Sequence, residues 1–356
     1  AAVSSARSPA RSAATTLAQR GVHISIADAA TQAGGRCRSY HDARTGLTID
    51  NGNHLVLAGN RAVADYLARI GASARLAGAD HAEFAFADLV RGARWTVRIN
   101  DGRLPWWLLR PDRRVPGTRA ADYLALCRLL GGKAGETVAQ RKPPTGRVWT
   151  HFVEPLLLAV LNTPVAEGSA RLTAAVLRAT LLRGGRATIP RIAQPSVGAA
   201  FVDPALAFLA ARGMPVTLGR RLRALTMADD RVTALDWGAG PEPVAADEAV
   251  ILAVPPWAAR ALVPSIPAPD AFRAIVNAHF AAPAPAGAPA MLGLVGGTAQ
   301  WLFAYPDRIS VTVSAAEDLV DADREELARV FWHDIRRAYR IDAPLPRWQV
   351  VKEGAR

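Results

Sequence analysis

The chain has 356 residues, of which half are hydrophobic and 21% are charged, so it is too long for a peptide module and too apolar for a disordered chain. Its 28 glycines and 25 prolines argue against long uninterrupted helices and a coiled coil. The formal net charge of +12 favours anionic partners, such as nucleic acid, acidic lipid headgroups or a phosphate-bearing cofactor. The two cysteines, Cys37 and Cys127, are too few for a disulfide framework or a cysteine metal site, so nothing indicates secretion.

No stretch reaches the roughly 18 consecutive apolar residues that a membrane-spanning helix requires, so an integral helical membrane protein is not expected. Residues 1–20 carry three arginines, several serines and no acidic residue, which is also the composition of an organellar transit peptide. They run directly into a strand pattern without a polar linker, which favours a place inside the folded domain.

The first recognisable elements indicate the second half of a β-α-β unit. Residues 13–20 are predicted to form a helix that ends at Gly21, and residues 22–26 to form a strand of alternating apolar and polar residues. An acidic residue at the end of such a strand can accept hydrogen bonds from the ribose of a bound dinucleotide. Asp28 is the candidate, and a solvated acid at a strand end is the alternative.

A glycine pair and an arginine follow Asp28 along the chain. Gly34 and Gly35 carry no side chains that would keep the backbone from a pyrophosphate, and Arg36 offers forked donors to its oxygens. Together with Asp28, these residues lie in the order that a dinucleotide site requires.

The pattern changes after residue 60 to mixed helices and loops and returns to sheet-like segments near residue 202. A lobe that forms a sheet is therefore interrupted and resumed along the chain. Residues 255–289, rich in alanine and proline, are predicted to be irregular connections. Further strands are expected within residues 292–314 and a helix over residues 321–340.

Two sequence runs resemble the flavin-containing amine oxidase and phytoene desaturase superfamily: DAATQAGGRCRS at residues 28–39 and IDNGNH at residues 49–54. Within that superfamily the chain looks most like the squalene-associated FAD-dependent desaturases, which are understood as hydroxysqualene dehydroxylases. The supporting runs are EPL at 154–156, LNTP at 161–164, FVDPA at 201–205, LGRRL at 218–222 and VILAVPPW at 250–257.

The resemblance implies an α/β fold in which a Rossmann-like FAD-binding lobe, incomplete at both ends, is interleaved with an α+β substrate lobe. The FAD-binding lobe is expected at residues 1–60 and 201–260, the substrate lobe at residues 61–200 and 261–347, and the start of a truncated C-terminal FAD segment at residues 348–356.

The same resemblance implies that FAD lies extended across the first lobe. Asp28 would bind the ribose, Gly34, Gly35 and Arg36 the pyrophosphate, Gly52 would let the backbone approach the isoalloxazine ring, and the backbone of Val216 would pair with adenine. A role in a turn or in the core remains the alternative for each of these residues.

Two departures from the family pattern raise the alternative of an inactive remnant without cofactor. The three glycines of the dinucleotide loop would fall at Ser5, Arg7 and Ala10, and none is glycine. A large cation at Arg7 would require a rearranged loop, because the backbone must approach the pyrophosphate there. The family's closing segment, which contains a Gly-Asp pair, would begin where this chain stops.

The implied reaction is the reductive removal of an allylic hydroxyl from hydroxysqualene, an isoprenoid lipid, to give squalene and water. Loss of the hydroxyl needs a proton donor. The candidates are His54, near the flavin by motif, and Glu154, on an apolar helix where burial would keep it protonated. Alternatively, His54 satisfies a buried backbone group and Glu154 caps a helix or pairs with a cation. The seven histidines lack ligand spacing, so no metal is expected.

The run LPWWLL at residues 104–109 combines interfacial aromatics with nearby cations, as a peripheral membrane contact would. The expected contact residues are Trp106, Trp107, Arg110, Arg113 and Arg114, which places the protein in the cytoplasm on the inner face of the cell membrane. Packing of both tryptophans inside the substrate lobe is the alternative.

Other functions stay open at this point. A carotenoid or phytoene desaturase or an amine oxidase would share the same flavin lobe. A nucleic-acid-binding protein is disfavoured, because the arginines are dispersed instead of clustered on one element with interleaved aromatics. The sequence does not predict an oligomeric state.

Overall fold

The structure of the protein, a computed structural model, describes residues 2–4, 8–143 and 145–354. The strands in these ranges are β1 (Ala2–Ser4), β2 (Ile26–Ala27), β3 (Ser39–Asp42), β4 (Leu47–Asp50), β5 (Leu55–Leu57), β6 (Leu76–Ala77), β7 (Ala82–Asp88), β8 (Arg94–Ile99), β9 (Pro190–Ala193), β10 (Val216–Thr217), β11 (Ala224–Ala228), β12 (Arg231–Asp236), β13 (Pro241–Pro243), β14 (Ile251–Ala253), β15 (Ile275–Phe280), β16 (Met291–Val295), β17 (Trp301–Ala304), β18 (Ile309–Ser314) and β19 (Trp348–Glu353).

The α-helices are α1 (Ser8–Gln19), α2 (Arg61–Arg69), α3 (Glu154–Leu161), α4 (Ala170–Ala179), α5 (Gly185–Thr188), α6 (Val197–Phe201), α7 (Asp203–Ala210), α8 (Pro256–Leu262), α9 (Glu317–Val320) and α10 (Arg324–Tyr339). A π-helix, Trp149–Val153, leads into α3. The 3-10 helices are Gly35–Cys37, Ser73–Arg75, Trp106–Leu109, Pro111–Arg113, Ala120–Gly131, Ala139–Arg141 and Leu181–Arg183.

A parallel sheet of four short strands, in the order β10-β2-β1-β14, forms the first lobe. Helix α1 connects β1 to β2 and ends where Gly21 adopts a positive φ of 76°, a conformation that a residue without Cβ adopts at little cost. The predicted helix is therefore present and is longer than expected at its start. The predicted strand at residues 22–26 is wrong in extent, since within the described residues only Ile26 of this segment pairs in the sheet, followed by Ala27.

A larger sheet of seven strands, in the order β19-β15-β18-β17-β16-β7-β8, is antiparallel except where β16 and β7 run in parallel. Helix α10 covers one face, with Phe331, Trp332 and Ile335 packed on side chains such as Val276 and Phe280. The residues that pack on the other face come mainly from the π-helix, α3 and the surrounding 3-10 segments. The sheet is therefore buried between two hydrophobic cores.

Strand β15 lies within the segment that the sequence predicts to be irregular, and that prediction is wrong. The strand pairs with β18 on one side and β19 on the other over its whole length. Its apolar side chains, Val276, Ala278 and Phe280, belong to the core under α10. Asn277 and His279 alternate with them and are equally buried, so the strand has one apolar and one polar face, both covered.

Strand β19, which the sequence assigned to the start of a further FAD segment, is an edge strand of this seven-stranded sheet. At its end, the Glu353 carboxylate accepts a hydrogen bond from the Asn51 side-chain amide. The chain therefore returns from the larger sheet to contact the loop that follows β4. The domain boundaries themselves stay predictions.

Helix α10 forms where the sequence predicts a helix, but it begins at Arg324 and not at residue 321. The Asp323 side chain accepts hydrogen bonds from the backbone N–H groups of Glu325 and Glu326, which caps the first turn. Phe331 is fully buried against the sheet, whereas its neighbour Val330 points to solvent.

Phe331→Ala removes a ring from this closed core, and we expect a loss of about 3–5 kcal/mol in the free energy of unfolding because transfer and cavity penalties add. Chemical denaturation followed by circular dichroism measures the loss. The adjacent Val330→Ala is the control, with an expected change within about 0.5 kcal/mol. Equal losses in the two variants would contradict this packing of α10.

Candidate functional site

Asp28 lies directly after β2 and is buried. Its Oδ1 accepts the backbone N–H of Ala30 at 3.0 Å, and its own N–H donates to the Thr217 carbonyl at 2.8 Å. Because β10 and β2 are neighbours, Val216 lies beside this strand end, paired with Ile26. The structure thus brings together two of the residues for which the sequence predicts contacts with the adenosine part of a dinucleotide.

The glycine pair forms a tight turn after a short loop. Gly34 has φ 124° and Gly35 has φ 55°, and a 3-10 turn follows over Gly35–Cys37. A Cβ on Gly34 would lie 2.6 Å from the Cβ of Arg38, so only glycine fits there. The turn is held further by the Cys37 N–H, which donates to the Gly34 carbonyl at 2.9 Å.

His54 meets this turn from the other motif. Its Nε2 lies 3.4 Å from the Arg36 carbonyl oxygen. Burial alone would lower the pKa of His54, but the Cys37 side chain and the Arg36 carbonyl raise that pKa above its ordinary value. The two sequence runs that carry the family resemblance are therefore in direct contact, and the imidazole between them favours its protonated form.

Asp50, the first residue of the Asp-x-Gly-x-His run, is completely buried at the end of β4. Its Oδ1 accepts hydrogen bonds from the Ser39 hydroxyl at 2.5 Å and from the backbone N–H of Val197 at 2.9 Å. Ser39 in turn accepts the Gly198 N–H at 2.6 Å. The carboxylate therefore connects β3, β4 and the start of α6.

Arg308 is the cation nearest to the second carboxylate oxygen of Asp50. Its Nη2 lies 3.6 Å from Asp50 Oδ2, and both side chains are at most 3% exposed. The guanidinium also donates to the Pro195 carbonyl at 3.1 Å and lies 3.7 Å from the Tyr305 ring centroid. Burial raises the pKa of Asp50, and its hydrogen bonds and Arg308 only partly offset this.

His279, on the polar face of β15, holds the backbone of the same segment. Its Nε2 lies 2.9 Å from the Asp50 carbonyl oxygen and its Nδ1 lies 2.8 Å from the Ser310 hydroxyl. Burial, reinforced by the charge of Arg308, lowers the pKa of His279 to about 3, so the ring is neutral. A carbonyl only accepts, so Nε2 carries the proton and Nδ1 accepts from Ser310.

The residues between Asp50 and His54 are fixed from the same sheet. The Asn53 amide donates to Thr312 Oγ1 at 3.0 Å, and that hydroxyl donates to Asn277 Oδ1 at 2.8 Å. A Cβ on Gly52 would lie 3.3 Å from the Asn277 amide nitrogen, which is tight. The loop therefore passes close to the polar face of β15 with little space for a larger residue at position 52.

Other predicted site residues lie elsewhere. Glu154 is partly buried at the first position of α3, and Asn162 of the run at 161–164 caps the end of that helix and accepts the Ala315 N–H at 2.8 Å. Ser5 and Arg7 lie outside the described residues, whereas Ala10 is buried in α1.

Trp107 cannot make the predicted membrane contact, because it is only 5% exposed and packs edge-on against Tyr123 and Phe152. Trp106 is exposed and lies under the Arg113 guanidinium. One of two adjacent tryptophans in this 3-10 turn is therefore buried and the other exposed, a difference that their sequence did not indicate.

Sequence reasoning missed Ser39, His279 and Arg308 as parts of the site. Ser39 stands at the end of a quoted run, but its partner Asp50 is eleven residues away and no spacing indicated the pair. The alternation of apolar and polar residues in β15 was the available signal for His279. Nothing local marked Arg308, which meets Asp50 across more than 250 residues.

Arg308→Leu leaves the Asp50 carboxylate buried without its cation, and we expect a loss of about 3–5 kcal/mol in the free energy of unfolding at neutral pH. The pKa of Asp50 is raised in the folded state, so Asp50 takes up a proton more readily in the folded chain than in the unfolded chain. As pH falls through that pKa, Asp50 becomes neutral, and the cost of burying it without a cation decreases.

The deficit relative to the unsubstituted chain should therefore shrink in mildly acidic buffer. Denaturation curves at neutral and at mildly acidic pH measure the loss of stability, and the exposed Arg260→Leu is the control. A deficit independent of pH would refute the coupling between Asp50 and Arg308.

The fold matches solved structures over almost the whole chain. An oxidoreductase from Methanosarcina mazei has a TM-score of 0.71 at 12% identity and aligns with 99% of this chain and 86% of that chain. Cyclohexylamine oxidase from Brevibacterium oxydans has a TM-score of 0.67 at 14% identity, and the alignment covers 99% of this chain and 84% of that chain. These likenesses confirm the predicted α/β fold.

Sequence relatives are much closer. A hydroxysqualene dehydroxylase of Rhodopseudomonas palustris is 49% identical over 343 residues, which cover 96% of this chain and 82% of the relative. A hydroxysqualene dehydroxylase of Sinorhizobium fredii is 47% identical over 342 residues, which cover 96% of this chain and 82% of the relative. A family model described as flavin containing amine oxidoreductase matches residues 12–353. The chain therefore belongs to the flavin containing amine oxidoreductase family, as its glycine-arginine turn and its Asp-x-Gly-x-His run predicted.

Proposed function

We propose that this chain binds FAD and removes the hydroxyl group of hydroxysqualene reductively, giving squalene and water. The observation that carries the proposal is the contact of His54 with the Arg36 carbonyl, because it joins the two motifs of a flavin site in one place. The relatives at 43–49% identity, all hydroxysqualene dehydroxylases, support the same substrate.

The residues of the first lobe fit a dinucleotide form of the flavin. Asp28 is a buried carboxylate at the end of β2, where a ribose would lie. Gly34, Gly35 and Arg36 form a turn without obstructing side chains and with one cation, suited to a pyrophosphate. The backbone of Val216 would pair with adenine, and Gly52 would let the backbone approach the isoalloxazine ring.

When bound and reduced, a flavin supplies hydride. The chain has to supply a proton to the departing hydroxyl, so that the allylic C–O bond breaks with release of water. His54 suits this role better than Glu154, because the Cys37 side chain and the Arg36 carbonyl raise the pKa of its imidazole and so favour the protonated form that can donate. Cys37 and the Arg36 carbonyl hold the ring at the turn, and the buried Asp50 adds negative charge nearby.

His54→Gln removes the proposed proton donor, and we expect turnover of hydroxysqualene to fall by about 10²–10⁴-fold. The unsubstituted enzyme should lose activity as pH rises through the raised pKa of His54, since only the imidazolium donates, and His54→Gln should lack this alkaline limb. Squalene formed under reducing conditions is measured by gas chromatography.

Glu154→Gln is the matched control and should retain turnover within about tenfold, which is less than general acid catalysis contributes. A larger loss in that variant than in His54→Gln would transfer the role to Glu154. Conversion of phytoene or of an amine by the unsubstituted enzyme, with hydroxysqualene untouched, would contradict the proposed reaction and favour a desaturase or an amine oxidase.

A hydrocarbon substrate dissolves in bilayers, which supports a peripheral membrane contact on the cytoplasmic side of the membrane. Leu104, Trp106, Leu109 and Leu124 are exposed apolar side chains, with Leu104 at 80%. The contact of Trp107 with Tyr123 brings their two segments together. Isolated exposed leucines are ordinary, but three beside one tryptophan form a patch suited to a lipid surface.

Cations surround this apolar patch. Arg110 is paired with Asp112, Arg113 lies over the Trp106 ring, and Arg114 donates to the Leu108 carbonyl. Beside them, a groove of about 460 Å³ is lined by the cations Arg128, Lys142 and Arg147. Anionic lipid headgroups complement this charge. Among the described residues no helix is both long and apolar enough to cross a bilayer.

Trp106→Ser combined with Leu109→Ser should reduce flotation with anionic liposomes by at least about tenfold, because both side chains would otherwise enter the interface. Val90→Ser, an equally exposed apolar residue at the β7-β8 turn, is the control and should float normally. Unchanged flotation of the double variant would argue against this surface.

A further inference from the structure

Arg11 is a buried cation in the first turns of α1. The side chain is 4% exposed and lies between Ala10 and Ala14 of the same buried helix face. Its Nη2 reaches the Gly34 carbonyl oxygen at 3.5 Å, the outer limit of a hydrogen bond, and within the described part of the chain its Nε has no acceptor. The guanidinium also hydrogen-bonds the Tyr66 hydroxyl, so the donor that remains unused is its Nε–H group.

The described residues give Arg11 no carboxylate partner, and the Tyr66 hydroxyl beside it carries no charge. The Tyr66 hydroxyl lies beside it and donates to the Phe201 carbonyl at 2.7 Å, and burial raises the pKa of Tyr66, so the phenol stays neutral. The Cys37 side chain also contributes to the raised pKa of Tyr66. No carboxylate pairs with Arg11 in residues 8–143 or 145–354.

Arg11 points toward the Gly34–Gly35 turn, which is suited to an anion. Gly34 begins the turn with two left-handed glycines, and Arg36 follows within it. Helix α1 is twelve residues long, and the positive end of its dipole lies at its N-terminal end. The buried Arg11 guanidinium, whose Nε–H group has no acceptor in the described residues, is a second, independent indication that an anion binds at this end of the helix.

We propose that Arg11 is a phosphate-binding residue of this chain and that its Nε–H donates to the pyrophosphate of the bound flavin dinucleotide between α1 and the Gly34–Gly35 turn. This inference rests on the proposed binding of FAD. It also accounts for how a chain with Ser5, Arg7 and Ala10 in place of three glycines could hold a pyrophosphate, since a charged side-chain donor replaces close approach of the backbone.

The test measures binding of FAD and of riboflavin, which lacks phosphate, to the protein stripped of flavin, by quenching of flavin fluorescence. Arg11→Leu should raise the Kd for FAD by about 10–100-fold, the range for loss of one charge-assisted hydrogen bond, and leave the Kd for riboflavin unchanged. Arg11→Lys, which keeps the charge, should give an intermediate Kd for FAD.

Arg20→Leu makes the same change of charge at the exposed far end of α1 and should bind both ligands normally. The dependence of FAD affinity on salt should weaken in Arg11→Leu and stay unchanged in Arg20→Leu. Thermal denaturation shows that each variant is folded, and Arg11→Leu should be at least as stable as the parent, because it removes a buried charge.

FAD binding by Arg11→Leu as tight as by the parent, or an equal loss of FAD and riboflavin, would overturn the role of Arg11. A parent chain that binds riboflavin but gains nothing from the pyrophosphate of FAD would do the same while leaving the flavin assignment intact. A parent chain that binds neither ligand would overturn the proposed function together with this inference.

Discussion

The buried pair of Asp50 and Arg308 is the constraint on which the candidate site depends. It joins three parts of the chain that are far apart in sequence: the end of β4, the start of α6 at Val197 and the turn before β18. Burial of an isolated carboxylate is costly, so these parts have to come together wherever Asp50 is ionised. The loop from Asn51 to His54 then leaves the sheet at a fixed point, which brings His54 to the Arg36 carbonyl.

Strand β15 explains how one sheet serves both packing and chemistry. Its apolar side chains support α10, while Asn277 and His279 hold the loop after β4 from the opposite face. His279 is kept neutral by burial, so it acts as a fixed donor to the Asp50 carbonyl and is not a candidate for proton transfer at neutral pH. The pKa of His54, in contrast, is raised. The pKa values of two histidines near the same loop are thus shifted in opposite directions because their surroundings differ.

Much of the site could be read from local motifs. Asp28, the Gly34–Gly35 turn and His54 belong to short runs whose backbone conformation is determined within a few residues, and their proximity follows from the fold of one lobe. Trp106 and Trp107 show the limit of that reasoning, because neighbouring residues in a 3-10 turn face different surroundings and only Trp106 reaches solvent. Strand β15 was missed because its two polar residues and the prolines on both sides made it resemble a loop.

The sequence by itself determined the family, the α/β fold, the helix that ends before Gly21 and the turn at Gly34 and Gly35, since each depends on side-chain type, spacing or the special freedom of glycine over a short stretch. Only the tertiary structure decided that Arg308 neutralises Asp50, that His279 supports the Asp50 carbonyl and that Arg11 lies buried toward Gly34. These contacts join residues separated by between 23 and more than 250 positions. No local pattern encodes such pairs, because the free energy that selects them comes from burying charge and polar groups together once the sheets have formed.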